Sequence, residues 1–190
     1  MIERAHRAEG IDRRARVLEA AMYAITEQGL DAVSMRDIAA RAGMSPGHIL
    51  YYFESKDALL LAVLWWSETD LAVRRRASLA RIHERDRAIR RFCEWYLPEN
   101  SQDPRWHLWI QMHARPPQDE ASRGALLEMI QSWIDDFTAI VGDAALAERC
   151  CSLMDGLALD ILLELPGRTR ARALRIATEA LHAELGREDR

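Results

Sequence analysis

Residues 33–60 read VSMRDIAARAGMSPGHILYYFESKDALL, and this stretch decides the fold. Ser34, followed three residues later by Asp37, has the pattern of a capping box and predicts a helix over residues 34–42. Gly43 ends that helix, and Ser45-Pro46 begins a second one over 46–53, with serine as N-cap and proline at the first helical position. Two short helices joined by so tight a turn predict a helix-turn-helix, whose second helix enters the major groove of DNA.

The rest of the chain indicates an all-α fold. Apolar residues recur at spacings of three and four almost everywhere, and the alternation typical of strands is missing. Organisation changes near residue 56, from short helices to long ones, which predicts a three-helix bundle over residues 1–56 and a larger helical domain over 57–190. The other predicted helices cover about 13–28, 56 to the low 80s, 85–97, 104–114, 119–141, 144–165 and 169–185.

The charge of the chain does not by itself indicate nucleic-acid binding. The net charge is −4, and residues 1–58 hold eight basic and nine acidic side chains. Only residues 1–16, with five arginines against three acids, form a mildly basic arm. A DNA-binding function must therefore rest on the geometry of the helix-turn-helix and on local charge.

Composition argues against several other classes of protein. Three cysteines, two of them adjacent, are no disulfide framework and indicate buried, reduced thiols. No metal-ligand spacing, phosphate loop or nucleophile–base pair is evident, so we expect neither an enzyme nor a metal or other cofactor. No apolar run approaches the roughly 18 residues of a membrane span, and no signal peptide is visible. We therefore expect a cytoplasmic protein with no membrane partner.

The stretch 33–60, together with the first helix, closely resembles the DNA-binding signature of TetR-family regulators over about 50 residues. The resemblance implies a repressor that binds a palindromic operator as a homodimer and is released by a small-molecule inducer. It implies a ligand-binding and dimerisation role for residues 57–190. An architectural DNA-binding protein without an inducer is the alternative, which a C-terminal domain packed without a cavity would favour.

The resemblance also assigns DNA contacts. Ser34 and Met35 match positions at the phosphate backbone, and Arg36 matches a position that reads a base in some members; its alternative is a surface charge paired with Asp37 or Asp12. Leu50 departs from the tyrosine common in the family and cannot form hydrogen bonds. The full set of predicted contacts is Ser34, Met35, Arg36, Ser45, Pro46, Gly47, His48, Tyr51, Tyr52 and Lys56.

The segments 105–116 and 153–157 resemble the C-terminal domain of the BetI-like subgroup, which implies a ligand pocket. Aromatic residues could line such a pocket and hold a quaternary ammonium by cation–π attraction, or could simply be core. The predicted pocket residues are Trp65, Phe92, Trp95, Tyr96, Trp106, Trp109, Met112, His113, Met129 and Trp133.

Helices 119–141 and 144–165 are each apolar on two sides, which predicts that each buries one side in its own core and one against a partner. Gly156 would permit close approach of two helices. The predicted dimer interface contains Leu126, Ile130, Ile134, Phe137, Met154, Ala158, Ile161 and Leu165. The arginine run Arg74–Arg76 is predicted to be a solvated surface.

Overall fold

The computed structural model describes the backbone of residues 2–188 and the side chains of residues 13–185. This part of the chain contains nine helices and no strand, which confirms the predicted all-α fold. The helices are α1 (Ile2–Gln28), α2 (Met35–Ala42), α3 (Pro46–Tyr52), α4 (Lys56–Leu79), α5 (Arg85–Tyr96), α6 (Pro104–Ala114), α7 (Glu120–Val141), α8 (Ala144–Leu162) and α9 (Arg170–Glu188). None of these described helices is both long and apolar enough to cross a bilayer.

The helix bounds agree with the sequence patterns except at three ends, one of which is the end of α9 at Glu188 instead of 185. The start of α1 lies at Ile2 and not near residue 13, because residues 2–12 contain no proline and only Gly10 as a poor helix former. The side chains of the predicted basic arm up to Asp12 lie outside the described residues. Helix α8 ends at Leu162 and not at the predicted residue 165. Glu164, two residues after this end, takes a left-handed φ of 50°.

The chain divides into two compact units. The N-terminal unit comprises Met1–Ser67 and Pro104–Ser122, and the C-terminal unit comprises Glu68–Asp103 and Arg123–Arg190. This division differs from the sequence boundary at residue 56 because the first half of α4 stays with the N-terminal unit and α6 packs against α1.

The N-terminal unit is held together by small and branched apolar side chains. Val17, Ala21 and Ile25, the predicted apolar stripe of α1, are buried, as are Ile38 of α2 and Ile49 of α3. Burial of these side chains from three helices fixes the positions of α2 and α3, so that the residues on their opposite faces remain in solvent.

The core of the C-terminal unit is aromatic. Phe92 of α5 stacks on Phe137 of α7 with 4.2 Å between ring centroids, and both rings are fully buried. Met154 and Ala158 of α8 are fully buried too. Because Phe137, Met154 and Ala158 are fully buried in one chain, they leave little area for a second chain to cover in the predicted dimer interface.

Cys93 of α5 and Cys150 and Cys151 of α8 are free and buried in this core, as expected from the cysteine pattern. Burial raises the pKa of Cys93 and Cys151 to about 12 and that of Cys150 to about 11. Only the thiolate attacks disulfide reagents, so at pH 8 these thiols are protonated as well as shielded.

We therefore expect native protein to react with a chromogenic disulfide reagent at pH 8 at least about 100-fold more slowly than urea-unfolded protein, whose thiols have ordinary pKa values near 8.5. The absorbance of the released thiolate measures both rates. A native rate within severalfold of the unfolded rate would contradict the buried cluster.

Candidate DNA-binding surface and ligand-binding region

The entry of α2 is a capping box, as the sequence predicts. The amide of Asp37 donates to Oγ of Ser34 over 3.2 Å, and the amide of Ser34 donates to Oδ2 of Asp37 over 3.0 Å. The Ser34 hydroxyl also donates to the same carboxylate, and these hydrogen bonds hold the pKa of Asp37 below its usual value. Ser34 thus orients α2, with its hydroxyl proton already engaged by Asp37.

The turn between α2 and α3 depends on Gly43, which takes a left-handed φ of 68°. Its amide and that of Met44 donate to the carbonyls of Ala40 and Ala39, over 3.2 and 2.9 Å, and so close α2. The side chain of Ser45 then accepts from the amide of His48 over 3.2 Å and caps α3. These local bonds build the helix-turn-helix that the sequence predicts.

The outer face of α3 carries the predicted base-reading residues. Pro46, Gly47 and His48 are exposed, and Tyr51 has 82% of its surface in solvent. The ring of His48 stacks on Tyr52 with 5.6 Å between centroids, which orients the imidazole. Leu50 is also exposed, at 49%, so an apolar side chain lies on this face beside the polar ones.

Arg36 on α2 has an exposed side chain, and it forms no ion pair with any described side chain. Asp37 is committed to the cap, while Asp12, the other alternative partner, lies outside the described side chains. Arg41, one turn further along α2, is different: it pairs with Glu27 of α1. Arg36 is therefore the guanidinium on α2 that is available to a ligand.

Lys56 opens α4 and is half-buried. Its Nζ donates to the carbonyl oxygen of Val33 over 2.6 Å, which ties the start of α4 to the residue that precedes the N-cap of α2. An ammonium carries three donors, so two N–H groups remain for a phosphate. Met35, also half-buried, and Lys56 thus lie at the same end of α2 as Ser34.

The predicted pocket residues are divided between the two units. Trp106, Trp109 and Met112 are buried within α6 of the N-terminal unit, whereas Trp65 and His113 are exposed. Nδ1 of His113 donates to the carbonyl oxygen of Trp109 over 2.8 Å. The remaining five belong to the C-terminal unit: Phe92, Tyr96, Met129 and Trp133, which are buried, and Trp95, which is half-buried.

Three of these residues form an aromatic cluster in the C-terminal unit. The ring of Trp133 meets Phe92 and Tyr96 edge to face, with centroid separations of 5.6 and 4.9 Å. The Tyr96 hydroxyl donates to Oδ1 of Asp155 over 2.7 Å. We refer below to Phe92, Tyr96 and Trp133 as the aromatic cluster.

A buried arginine, predicted from the sequence to be solvated, lies on this cluster. The Arg75 guanidinium carbon lies 3.6 Å from the centroid of the Trp133 ring, and the side chain has no exposed surface. The prediction that Arg75 is solvated is therefore wrong, although it holds for Arg74 and Arg76. One signal was present: Glu68, Leu71 and Arg75 share a face of α4 at spacings of three and four.

Two acidic side chains accompany Arg75. Asp136 of α7 accepts from Nε and Nη2 of Arg75 over 2.8 and 2.5 Å, and from Nε of Arg76 over 2.7 Å. Glu68, which is 4% exposed, accepts from Nε1 of Trp133 over 2.8 Å. Two guanidiniums and two carboxylates thus lie close together, and of these only Arg76 lies largely in solvent.

A cleft of about 510 Å³ lies beside this network, lined by Arg76 and Asp136 together with residues from the end of α4, the start of α5 and α7. None of the ten predicted pocket residues lines it. Its apolar lining comes from Leu79, Ile82, Ile140 and three alanines. Its polar lining comes from His83, Glu84 and Arg85 together with the ion pair of Arg76 and Asp136.

The predicted dimer residues prove to be mixed in burial. Phe137, Met154, Ala158 and Ile161 are buried inside one chain, so they cannot bury further area against a partner. Leu126, Ile130 and Ile134 are half-buried, and Leu165 is exposed. The outer face of α8, continued by its C-cap residue, instead exposes a stripe of small and apolar side chains, which we call the α8 stripe: Ser152, Leu153, Gly156, Leu159 and Leu163.

Comparison with known proteins agrees with this architecture. Residues 17–63 match the family of bacterial regulatory proteins of the tetR type, and residues 85–186, more than half of the chain, match the C-terminal region of BetI-type transcriptional repressors. The HTH-type transcriptional regulator BetI of Paraburkholderia phytofirmans is 30% identical over 181 residues, 88% of this chain and 90% of that protein. The regulator PksA of Bacillus subtilis is 27% identical over 164 residues, 80% of each protein.

Solved structures have the same fold. A transcriptional regulator from Saccharomonospora viridis, crystallised in complex with choline, superposes with a TM-score of 0.78 at 24% identity and covers 90% of this chain and 96% of its own. The regulator SCO7518 of Streptomyces coelicolor gives 0.67 at 25% identity, with 88% and 96% covered. Regulators of this type are DNA-binding proteins without enzymatic activity, and this chain belongs to the TetR family of transcriptional regulators, with a BetI-type C-terminal region.

Proposed function

We propose that this regulator is a cytoplasmic repressor that binds a palindromic operator as a homodimer and is released from it by a small-molecule inducer. The observation that carries the proposal is the outer surface of α2 and α3, where Arg36, His48 and Tyr51 are exposed, while Ile38, Ala39 and Ile49 bury the inner faces of the two helices. A surface of donors on a capped, rigid helix pair is suited to the major groove.

The predicted contacts to bases and the predicted contacts to phosphates use different donor groups. Arg36 and His48 can donate to base edges, and a guanidinium suits the O6 and N7 acceptors of guanine. Tyr51, Tyr52 and Lys56 can donate to phosphates, which fixes register without reading sequence, while Ser34, whose hydroxyl proton is engaged by Asp37, orients α2. The chain as a whole is acidic, so these local donors carry the attraction to DNA.

Arg36→Ala is expected to weaken binding to the operator by about 10- to 100-fold and to lower discrimination at one base pair of each half-site, because a bidentate contact to a base contributes about 1–3 kcal/mol. Fluorescence anisotropy on DNA from upstream of the gene, at several salt concentrations, measures both effects.

Arg41→Ala is the matched control, since Arg41 lies on the same helix and its guanidinium is paired with Glu27. We expect it to change operator affinity only about twofold. Equal losses for the two variants, with sequence discrimination unchanged, would mean that Arg36 acts only as a positive charge.

A twofold dimer would carry two reading helices about one DNA turn apart. We propose that the α8 stripe forms the centre of this dimer. A Cβ added at Gly156 would meet no atom within 4 Å in the single chain, so space at this point is open to a partner helix. Leu159, 45% exposed, and Leu163, 66% exposed, supply apolar area on the same face.

Release by an inducer needs a ligand site and a route to the DNA-binding helices. The choline complex of the S. viridis regulator supports a small organic ligand, and the cleft of about 510 Å³ beside Asp136 favours an inducer over the architectural alternative. Helix α4 is continuous from Lys56 to Leu79, so a ligand that shifts its second half can shift its first half too. A difference of a few kcal/mol between two states would suffice.

Titration of neutral, cationic and anionic organic molecules against the operator complex tests release. We expect one class to lower operator affinity at least about tenfold, which corresponds to a coupling free energy of about 1.4 kcal/mol. A series in which no molecule of any class changes the affinity removes the inducer and leaves the DNA-binding function in place.

A further inference from the structure

The aromatic cluster already holds a cation, and that cation belongs to the chain. The Arg75 guanidinium lies over the face of Trp133, at 3.6 Å from guanidinium carbon to ring centroid, with its side chain wholly buried. Indole is the aromatic face to which cations bind best, and organic ammonium ligands use the same attraction. A ligand cation and Arg75 would compete for one position.

The surroundings of Arg75 have the composition of a cation site. Asp136 accepts two hydrogen bonds from the guanidinium, and Glu68 is held next to the cluster by its bond to Nε1 of Trp133. Burial lowers the pKa of Arg75, while the charges of Asp136 and Glu68 oppose that shift and keep the guanidinium protonated. Without Arg75, two carboxylates and an indole face would border a vacated volume.

One part of the guanidinium is not engaged. Nη1 of Arg75 is buried and has no hydrogen-bond partner among the residues that the structure describes. Leaving a charged donor desolvated and unbonded is unfavourable, so this atom marks a place for an acceptor. The unbonded group needs only a hydrogen-bond acceptor, which an uncharged carbonyl or hydroxyl oxygen supplies.

We infer that Arg75 is a specificity-determining residue: it fills the cation position on Trp133, so that the C-terminal unit rejects organic cations and accepts an uncharged molecule that presents a hydrogen-bond acceptor to Nη1. This inference rests on the proposed ligand-responsive function and names the class of its ligand. It distinguishes this chain from a regulator that binds choline.

The test uses choline and 3,3-dimethylbutan-1-ol, which have nearly the same shape and hydroxyl but differ in charge. Isothermal titration calorimetry without DNA compares the parent protein with Arg75→Ala. We expect the parent to favour the neutral alcohol over choline. We expect Arg75→Ala to gain at least about tenfold in choline affinity, because the indole face of Trp133 then loses the guanidinium that covers it and Asp136 loses one of its two cationic partners.

Two variants serve as controls. Arg76→Ala removes the other guanidinium bound to Asp136 but nothing that covers Trp133, and it should resemble the parent. Trp133→Leu in the Arg75→Ala background should lose the gain in choline affinity. If Arg75→Ala does not fold, Arg75→Gln retains a donor for Asp136 and carries the same expectation.

Choline binding to the parent as tightly as to the Arg75 variants, or a parent that prefers choline to the alcohol, overturns the inference. Failure of the proposed release gives another result: a molecule of either class binds in calorimetry yet leaves operator affinity unchanged. That outcome counts against the inducer and leaves the assignment of Arg75 standing.

Discussion

Replacement of Gly156 by glutamate is expected to split the dimer and to weaken operator binding by about 100-fold or more, since a monomer engages one half-site without the linked second one. The α8 stripe is small and apolar around Gly156, and a charged side chain at its centre would be desolvated against the partner helix. The single chain should not suffer, because a Cβ at this position meets no atom within 4 Å.

Gly124→Glu is the matched control, because Gly124 lies on α7, outside the α8 stripe, and also has open space at its Cβ. Both variants exchange a helical glycine for a good helix former, so both should keep or slightly raise the helix content. Size-exclusion chromatography with light scattering gives the mass, and anisotropy gives operator affinity. A Gly156→Glu protein that remains a dimer with parental affinity would exclude the α8 stripe as the interface.

Asp136→Ala is expected to lower the free energy of unfolding by about 3–5 kcal/mol, because breaking a buried ion pair leaves its partner charge uncompensated. The partner is Arg75, which is fully buried, while Asp136 is itself only 10% exposed. Ser132 offers Arg75 only weak replacement, with its Oγ 3.4 Å from Nη2. This loss would be among the larger effects of a single substitution.

The neighbouring Asp135→Ala is the control, since Asp135 is exposed and accepts one bond from Gln131, over 2.7 Å. Its cost should be below about 0.5 kcal/mol. Urea unfolding at one protein concentration, followed by circular dichroism, measures both, because the stability of a dimer depends on concentration. Equal midpoints for the two variants would mean that water reaches Arg75 and compensates its charge.

Local signals were sufficient for the DNA-binding unit. The capping box of Ser34 and Asp37, the left-handed Gly43 and the cap at Ser45 each involve residues within five positions of one another. Such interactions are formed by the segment itself, so the bounds of α2 and α3 could be predicted from their residue types. The exposed face of α3 followed from the predicted burial of Ile49 and Phe53, which are four residues apart and therefore share one side of the helix.

The inner face of the C-terminal helices was harder to predict. Helix α7 is apolar on two sides, and periodicity alone does not say which side meets the core. Phe137 was predicted to meet a partner, yet it is fully buried in its own chain against Phe92, 45 residues earlier in the sequence. The side of α7 that is buried is therefore determined by packing between helices that are distant in the sequence.

The sequence by itself determined the all-α fold, the nine helices of the described residues and the helix-turn-helix, because caps and periodicity act within one or two turns of chain. Only the tertiary structure decided that Arg75 is buried while Arg74 and Arg76 are not. A charge can leave water only where an opposite charge and hydrogen-bond partners meet it, and Asp136 comes to Arg75 from 61 residues away. The contact between Arg75 of α4 and Asp136 of α7 therefore places a guanidinium on the aromatic cluster.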